Sequence, residues 1–269
     1  VLVLPGNHDI NNPWARAFKG ESQLVTDSVS PEDFLRIYRD FGPGEALSRD
    51  AASLSYIASP RRGLSILMLD SNLYRGNAER GAPATNGRLG PSTLDWIRRE
   101  EAKARARGDV LFAALHHSLV DHSSVIARGF TLDNAAEVLA LFKELGIGLA
   151  LTGHVHIQDA VQDEASGLCD IATNALSVWP HQYGILTFGP DRVLRYRTRV
   201  LDVEAWARAT GNTDPYLLGY AKESEAAFRQ ASALMGSAIL GQDRAGSAEA
   251  GLASQTMATL NLRYFAGRQ

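Results

Sequence analysis

The chain has 269 residues, 45% of them hydrophobic, so it is long enough to bury the core of one large domain with an appendage. Its 27 basic and 30 acidic side chains give a net charge of −3, which offers no electrostatic case for a nucleic-acid polymer or a membrane surface as a partner. A single cysteine, Cys169, excludes an intrachain disulfide and a thiolate metal cluster, and no apolar run reaches the roughly 18 residues of a transmembrane helix.

The first elements in the chain are predicted to be a strand and a helix. Residues 1–4 are apolar and β-prone, and Pro5 and Gly6 follow them, which predicts a buried strand that ends in a tight loop. The segment SPEDFLRIYRDFG has Ser30 as the expected N-cap, Pro31 at the first helical position and apolar residues at helical spacing. It therefore predicts a helix.

Strands and helices are predicted to alternate through the middle of the chain. SLSYIAS and LSILMLD predict strands, and the loop at 71–90 is long enough to be functional. PSTLDWIRREEAKARARG predicts a helix, VLFAAL a strand, TLDNAAEVLALFKELG a helix with Thr131 as the N-cap, and IGLALTG a strand. This alternation predicts βαβ units and a sheet that is buried on both faces.

After His156 the pattern changes to short strands without helices between them. IQDAVQD, LCDIATN, YGILTF and VLRYRTRVLDV predict a meander that pairs into a second sheet. From about Asp214 the chain is alanine-rich and helical, with a break at GQDRAGS. We expect a helical pair that docks on the core or forms a homodimer.

Histidine occurs in the loops that follow three of the predicted strands: GNHD, LHHSL and TGHVH. Because the carboxyl ends of the strands of an open α/β sheet share one rim, these loops are expected to converge. Imidazole nitrogen and amide oxygen, without thiolate, suit Zn, Fe, Mn, Co or Ni. In an extended segment His154 and His156, at i and i+2, would point into one cavity. The sequence therefore predicts a metal site at this rim.

Each motif also has an alternative interpretation. The pair in GHVH can be two surface or hydrogen-bonded histidines, and GNHD can be only a turn, because Gly, Asn and Asp tolerate left-handed backbone. His117 can be a packed neighbour of the site, and Ser118 beside it suggests a Ser–His hydrolase, although no G-x-S-x-G occurs. Asp70, Asn72, His122, Trp179, His181 and Tyr183 have weaker claims to the site.

The ordered set Gly6-Asn7-His8-Asp9, His116-His117 and Gly153-His154-Val155-His156 resembles the GNH[DE]…H…GHxH pattern of the calcineurin-like metallophosphoesterases. Within that superfamily, GNHDINNPWARAF, LMLDSN and the helical C-terminal extension look like the bacterial 3′,5′-cyclic-nucleotide phosphodiesterases. The resemblance implies a four-layer αββα sandwich over residues 1–203, followed by a helical extension over 204–269.

The resemblance also implies a role for each motif residue. Asn7, His116 and His154 would hold the second of two divalent metal ions, and His156 would belong to the first. The two ions would activate a shared water as a metal-bound hydroxide that attacks phosphorus. His8 would stabilise the transition state or protonate the leaving oxygen, and Asp9 would orient its ring. His116 is preferred to His117 because family members keep a histidine directly at the strand end.

The sequence departs from the family pattern in one respect. The family has D-x-H and GD-x-x-D ahead of GNHD, which supply an Asp and a His to the first metal and an Asp that bridges both, and neither motif occurs here. We therefore expect an N-terminally truncated fragment with little activity, in which the first metal retains only His156. The parent is expected to be a dinuclear phosphodiesterase that acts on a small phosphoester such as a cyclic nucleotide. The alternatives are a phosphomonoesterase or nucleotidase on the same scaffold, and an inactive fragment that acts as a binding module.

Overall fold

The computed structural model of the protein describes residues 1–123, 128–239 and 246–268. The chain divides into two compact units, the first of Val1–Val155 with Ala160–Ala172 and the second of His156–Asp159 with Thr173–Gln269. The break expected at GQDRAGS falls mainly on residues 241–245, which lie outside the described residues. In the part of the chain that is described, no helix has the length and apolar character needed to cross a bilayer.

The strands and helices follow one another along the chain in a mixed order. The strands are β1 (Arg16–Lys19), β2 (Ser22–Val25), β3 (Ser48–Arg49), β4 (Tyr56–Arg61), β5 (Leu64–Leu69), β6 (Val110–Leu115), β7 (Leu149–Thr152), β8 (Asp159–Gln162), β9 (Cys169–Ala172), β10 (Gln182–Phe188) and β11 (Leu194–Val200). The helices are α1 (Pro31–Ile37), α2 (Asn77–Arg80), α3 (Pro91–Ala106), α4 (Ala135–Leu145), α5 (Val203–Ala209), α6 (Pro215–Leu218), α7 (Tyr220–Ala238) and α8 (Ala248–Phe265), with a short 3₁₀ helix at Tyr74–Gly76.

A seven-stranded mixed sheet in the order β3-β4-β5-β6-β7-β9-β8 forms the centre of the fold. β5, β6, β7 and β9 are parallel neighbours, whereas β3, β4 and β5 pair antiparallel. Helix α3 connects β5 to β6 and α4 connects β6 to β7, as parallel pairing requires a crossover. The mixed α/β fold with C-terminal helices is therefore confirmed, and the carboxyl ends of β5, β6 and β7 lie at one edge of the sheet.

The apolar core lies where α3 and α4 pack on this sheet. Its fully buried members include Leu67 on β5, Ile97 on α3 and Phe142 on α4. These residues come from the runs LSILMLD, PSTLDWIRREEAKARARG and TLDNAAEVLALFKELG, whose apolar positions predicted the elements. The core fixes the strands whose ends carry the histidine loops.

The N-cap predicted from the sequence is correct for α1 and wrong for α4. α1 begins as predicted, since Ser30 Oγ accepts from Asp33 N–H at 3.0 Å in a capping box and Pro31 is the first helical residue. α4 begins at Ala135 after Asn134, so the prediction of Thr131 as N-cap was wrong. Thr131 instead forms a bridge with Ser118, which holds it in extended backbone beside the loop after β6.

Two strand predictions need correction. Residues 1–4 belong to no described strand, because Val3 makes isolated bonds, donating its N–H to the carbonyl of Phe41 at 3.0 Å and to the hydroxyl of Tyr56 at 3.1 Å. β8 and β9, expected in a second sheet, join the first one, where β9 pairs in parallel with β7. β9 buries Ile171 and Ala172, as an interior strand does. Of the four strands expected in that second sheet, β10 and β11 form a separate antiparallel hairpin in the second unit. β1 and β2 form another two-stranded sheet in the first unit.

The second unit is built from that hairpin and the C-terminal helices. α7 and α8 pack closely at Gly236, where an added Cβ would lie 2.5 Å from the carbonyl oxygen of Ala253. Asn261 Nδ2 donates to Ser232 Oγ at 3.1 Å across the same interface. The alanine-rich pattern therefore predicted the helical pair correctly.

Candidate metal centre

The loop that carries GNHD is a turn closed by its own residues. The N–H of Gly6 donates to Asp9 Oδ2 at 2.6 Å, and the N–H of Asp9 donates to the Gly6 carbonyl at 3.1 Å. Asn7 in this turn is buried, and its Nδ2 donates to the Ala84 carbonyl at 3.2 Å. Because Nδ2 is engaged in this way, Oδ1 is the atom that Asn7 presents to His116.

Asn7 and His116 are brought into direct contact. Nε2 of His116, which directly follows β6, lies 3.0 Å from Asn7 Oδ1. A Cβ at Gly6 would lie 3.0 Å from Cε1 of His116 and 3.3 Å from Asp9 Oδ2. Glycine therefore permits the turn to approach the imidazole this closely.

Three imidazoles form a cluster at the carboxyl ends of β6 and β7. The ring centroids are 5.0 Å apart for His116 and His117, and 4.6 Å apart for each of these with His154. The two strand ends are joined by a hydrogen bond from Gly153 N–H to the His116 carbonyl at 3.0 Å. The expected convergence of the GNHD, LHHSL and TGHVH loops therefore includes Asn7, His116 and His154.

Backbone carbonyls determine which nitrogen of His154 carries a proton. Its Nε2 lies 2.9 Å from the Thr85 carbonyl oxygen and 3.2 Å from that of Gly129. A carbonyl oxygen can only accept, so Nε2 is the protonated nitrogen, and in the neutral ring the lone pair is on Nδ1. A backbone carbonyl on the far nitrogen is the usual outer contact of a metal-binding histidine.

His117 has a different environment from its neighbour His116. It is fully buried, with Nδ1 2.8 Å from Ser71 Oγ and Nε2 3.0 Å from the Thr85 carbonyl oxygen. Burial, followed by the charge of His154, lowers its pKa to about 4. His117 is thus a neutral, internally bonded ring, and we keep the prediction that His116 is the ligand.

The three donors suit a divalent metal ion in their chemistry, and one pair of them also has the spacing of two ligands of one ion. Two ligand atoms bonded to one ion at about 2.1 Å lie roughly 3 Å apart, and Asn7 Oδ1 and His116 Nε2 have this separation. No group of three or more His, Cys, Asp or Glu side chains arranged to hold an ion occurs among the described residues. The third donor here is an amide oxygen, so the set consists of two imidazoles and Asn7.

The structure leaves the remaining assignments as predictions. His8 is exposed, with its ring centroid 5.9 Å from that of Trp14, and Asp9 Oδ2 accepts from Gly6. His156 belongs to the second unit, is exposed and accepts a hydrogen bond from Asn174 at its carbonyl. The roles of His8, Asp9 and His156 are untested by this geometry.

The backbone of GHVH is not extended, which corrects one step of the prediction. His154 has φ 62° and His156 has φ 60°, so both lie in the left-handed region. Val155 N–H donates to the Gly153 carbonyl at 2.7 Å, which tightens the turn further. The argument that positions i and i+2 face one way therefore does not apply to this pair.

Sequence reasoning missed Asp170, a buried carboxylate beneath the histidine loops. It accepts from Leu119 N–H at 2.6 Å, from Val120 N–H at 3.3 Å and from the Thr152 hydroxyl at 2.6 Å, and His122 Nε2 lies 3.4 Å away. It thus joins the loop after β6 to the end of β7. The available signal was an acidic residue within the otherwise apolar run LCDIA.

Comparison with known families supports the resemblance seen in the motifs. Residues 202–269 match the family described as the C-terminal domain of cyclic nucleotide phosphodiesterase. The match covers only the C-terminal part of the chain, and the histidine motifs lie outside the matched residues.

Two solved structures align with part of the chain. A dimetal phosphatase from Danio rerio aligns with 15% identity and a TM-score of 0.39, over 55% of this chain and 60% of that one. A protein from Staphylococcus aureus described provisionally as a 5′-nucleotidase, in complex with alpha-ketoglutarate, aligns with 11% identity and a TM-score of 0.31, over 57% of this chain and 30% of that one. The chain thus spans less than two thirds of either structure. No curated protein shows a significant sequence match.

Proposed function

We propose that the chain is the catalytic part of a metal-dependent phosphoesterase that hydrolyses phosphodiester bonds, with a cyclic nucleotide as its candidate substrate. The observation that carries this proposal is the meeting of Asn7 Oδ1 and His116 Nε2 at 3.0 Å beside the ring of His154. The match of residues 202–269 to a cyclic nucleotide phosphodiesterase domain supports the substrate class.

In this proposal each motif residue has one task. Asn7 Oδ1, His116 Nε2 and His154 would hold one divalent ion, and the resemblance implies that His156 would belong to a second. When bound, the ions supply charge neutralisation at the phosphate and lower the pKa of a water. The exposed imidazole of His8 donates a proton to the leaving oxygen. Asp9 orients the His8 ring in this proposal, and its Oδ2 also accepts from the N–H of Gly6.

The test uses protein expressed from the whole reading frame that encodes the chain, supplied with Mn²⁺. Asn7→Ala and His116→Ala are expected to lower metal affinity at least about tenfold, and to lower the turnover of bis-p-nitrophenyl phosphate in parallel. Asn86→Ala is the matched control, because Asn86 bonds only to Asp133 among its described partners. Full metal content and full turnover in Asn7→Ala and His116→Ala would refute the proposal.

The same assay distinguishes the ester class. A phosphodiesterase is expected to hydrolyse bis-p-nitrophenyl phosphate and cyclic AMP faster than p-nitrophenyl phosphate. A preference for the monoester would instead identify a phosphomonoesterase or nucleotidase. Protein that binds Mn²⁺ but turns over none of the three esters would be a binding module.

The proposal divides the chain into a catalytic domain at 1–203 and a helical extension at 204–269. The matched family begins at residue 202, which supports this boundary. We further propose that the extension forms a homodimer, because the apolar side chains of Leu234, Met235 and Ile239 are each more than 60% exposed. Apolar side chains grouped on a surface are typical of protein interfaces.

A further inference from the structure

A cavity of about 450 Å³ in the first unit is lined by three arginines. Its walls come from the segments at 52–53, 70–80 and 88–93, and they do not include Asn7 or the clustered histidines. The volume lies within the range of small-molecule sites. Arg75, Arg80 and Arg88 supply its positive charge, and Asp70 is the only acidic residue in its lining.

Two of the three arginines donate to neutral groups. Arg80 Nη1 donates to Asn77 Oδ1 at 3.1 Å, and Arg75 Nη2 donates to the Ala52 carbonyl at 3.4 Å. Among the described ion pairs none includes Arg75, Arg80 or Arg88. None of the three guanidinium groups therefore lies within 4 Å of a carboxylate in the described ion pairs.

Asn77, which accepts the hydrogen bond from Arg80, is held in place by further hydrogen bonds. The Asn77 side chain is fully buried, its Oδ1 also accepts from Ala84 N–H at 2.9 Å, and its Nδ2 donates to the Ile10 carbonyl at 3.3 Å. Because Asn77 is fixed from both ends, the hydrogen bond it accepts orients the guanidinium of Arg80 at the cavity wall. The loop at 71–90 thus fixes the position of the Arg80 side chain.

The acid in the cavity wall is already satisfied. Asp70 accepts from Leu54 N–H at 3.2 Å, from the N–H and Nδ2 of Asn72 at 3.1 and 3.0 Å, and from the Tyr74 hydroxyl at 3.1 Å. These donors, and not an arginine, hold the Asp70 carboxylate. A bound anion therefore does not have to compete with Asp70 for a guanidinium group. Asp50, just behind the wall, is engaged in the same way by Ser53 and Thr93.

Helix α3 adds to the positive potential of the cavity. Its first residues, Pro91, Ser92 and Thr93, line the wall, and its N-cap Gly90 provides no side-chain oxygen for the first amides. The N-terminus of a helix carries a partial positive charge that favours anions. The arginines and the N-terminus of α3 thus both favour a negatively charged ligand in the cavity.

One residue connects this cavity with the candidate metal centre. Asn72 lines the cavity, and its Nδ2 donates to the Pro5 carbonyl at 2.8 Å, two residues before Asn7. Asn72 also forms a bridge with Gly87, which packs on the ring of His117. The cavity therefore shares a wall with the loops that carry the metal donors.

We propose that this arginine cavity binds a phosphate group of the substrate other than the one that is hydrolysed. The inference rests on the proposed function and extends its substrate class from cyclic nucleotides, whose only phosphate is the one hydrolysed, to phosphodiesters that carry a further phosphate, such as a dinucleotide with a terminal phosphate. Guanidinium groups recognise phosphate through paired N–H donors, which explains the choice of arginine over lysine.

The first experiment measures binding without catalysis. Inorganic phosphate is titrated calorimetrically into chelator-treated protein, and Arg80→Gln and Arg88→Gln are each expected to weaken binding about tenfold. Arg98→Gln is the control, since Arg98 lies on α3 but pairs with Glu144 and does not line the cavity. Asn7→Ala is expected to bind phosphate normally, which would locate the site outside the metal centre. Equal affinity in wild type, Arg80→Gln and Arg88→Gln would overturn the proposal.

The second experiment separates this inference from the proposed function. In Arg80→Gln, KM for a 5′-phosphorylated dinucleotide is expected to rise about tenfold, while KM for the unphosphorylated dinucleotide stays unchanged. A similar rise for both substrates would refute the phosphate subsite and leave the phosphodiesterase proposal intact. Phosphate binding that depends on Arg80 in a protein without any turnover would refute the phosphodiesterase proposal and leave the anion site.

Discussion

His116 and His117 are adjacent in the sequence and have opposite environments. His116 contacts Asn7 Oδ1, whereas His117 is enclosed by Ser71 Oγ and the Thr85 carbonyl. The motif pattern was sufficient to predict the contact between Asn7 and His116, because strand ends at one rim converge. It could not assign His117, because nothing in the LMLDSN stretch or around Thr85 predicts that Ser71 and the Thr85 carbonyl would enclose this ring.

Gly87 is the residue that makes room for the ring of His117. A Cβ there would lie 2.3 Å from His117 Nδ1, so Gly87→Ala forces the ring or the loop to move. We expect a loss of about 1–3 kcal/mol in the free energy of unfolding, measured by urea denaturation. Gly148→Ala is the control, as a Cβ there has no neighbour within 4 Å. Equal stability of the two variants would show that the ring is not packed against Gly87.

Asp70 is expected to make stability depend on pH. Burial raises the pKa of its carboxyl in the folded state, so on raising the pH the unfolded chain loses this proton first. The unfolded state then binds fewer protons than the native state, and the contribution of Asp70 to stability falls as the pH rises from the ordinary carboxyl range toward the raised pKa. Urea unfolding of wild type and Asp70→Asn between about pH 3.5 and 7 tests this.

The difference between the two proteins in that experiment isolates Asp70. Carboxyls whose pKa is lowered, such as Asp33 beside Arg36 and Asp191 beside Arg195, have the opposite pH dependence but contribute equally to both proteins. The free energy of unfolding of wild type, relative to Asp70→Asn, is expected to decrease with rising pH. A relative stability that increases with pH would contradict the raised pKa.

At the scale of elements, the histidine loops are held together by strand β9. Asp170 on β9 accepts from Leu119 N–H in the loop after β6 and from the Thr152 hydroxyl at the end of β7. The Asn variant replaces one carboxylate oxygen with an N–H₂ group that faces other donors. We expect Asp170→Asn to cost about 1.5–3 kcal/mol in unfolding free energy and to lower Mn²⁺ affinity about tenfold.

A second buried carboxylate provides the control for this prediction. Asp109 precedes β6 at the opposite end of the strand, where it accepts from the Ser65 hydroxyl at 2.7 Å and from Arg107 Nε at 2.9 Å. Asp109→Asn is expected to destabilise the protein without changing the affinity for Mn²⁺ measured by calorimetry below the unfolding transition. If both variants lose metal affinity equally, Asp170 has no specific role in positioning the loops.

Elements with local signals could be predicted from the sequence, and pairings between distant strands could not. The capping box of Ser30 and Asp33 is contained within four residues, and α1 begins where it predicts. The partner of β9 depends on β7, which lies outside the LCDIATN segment, so the sequence could not assign the strand to a sheet. The same reason explains the error at Thr131, whose bridge partner is Ser118.

At the scale of the whole molecule, the second unit leaves an apolar surface on its helices. Met235 and Ile239 lie one turn apart near the end of α7 and are 61% and 68% exposed, while Leu252 on α8 is 66% exposed. The described contacts between the two helices are made elsewhere, by Gly236 against Ala253, by Ser232 with Asn261 and by the rings of Phe228 and Phe265. We expect the exposed apolar side chains to contact a second copy of the chain.

Sedimentation velocity of wild type is expected to show a dimer, and Met235→Glu is expected to dissociate it. A carboxylate placed in an apolar interface has no cation to pair with, so its desolvation should weaken association more than about tenfold. Gln230→Glu adds the same charge at an exposed position of the same helix, and it is expected to remain dimeric if only the apolar surface matters. A wild type that sediments as a monomer, or a Met235→Glu variant that dimerises as tightly as Gln230→Glu, would contradict a dimer through this surface.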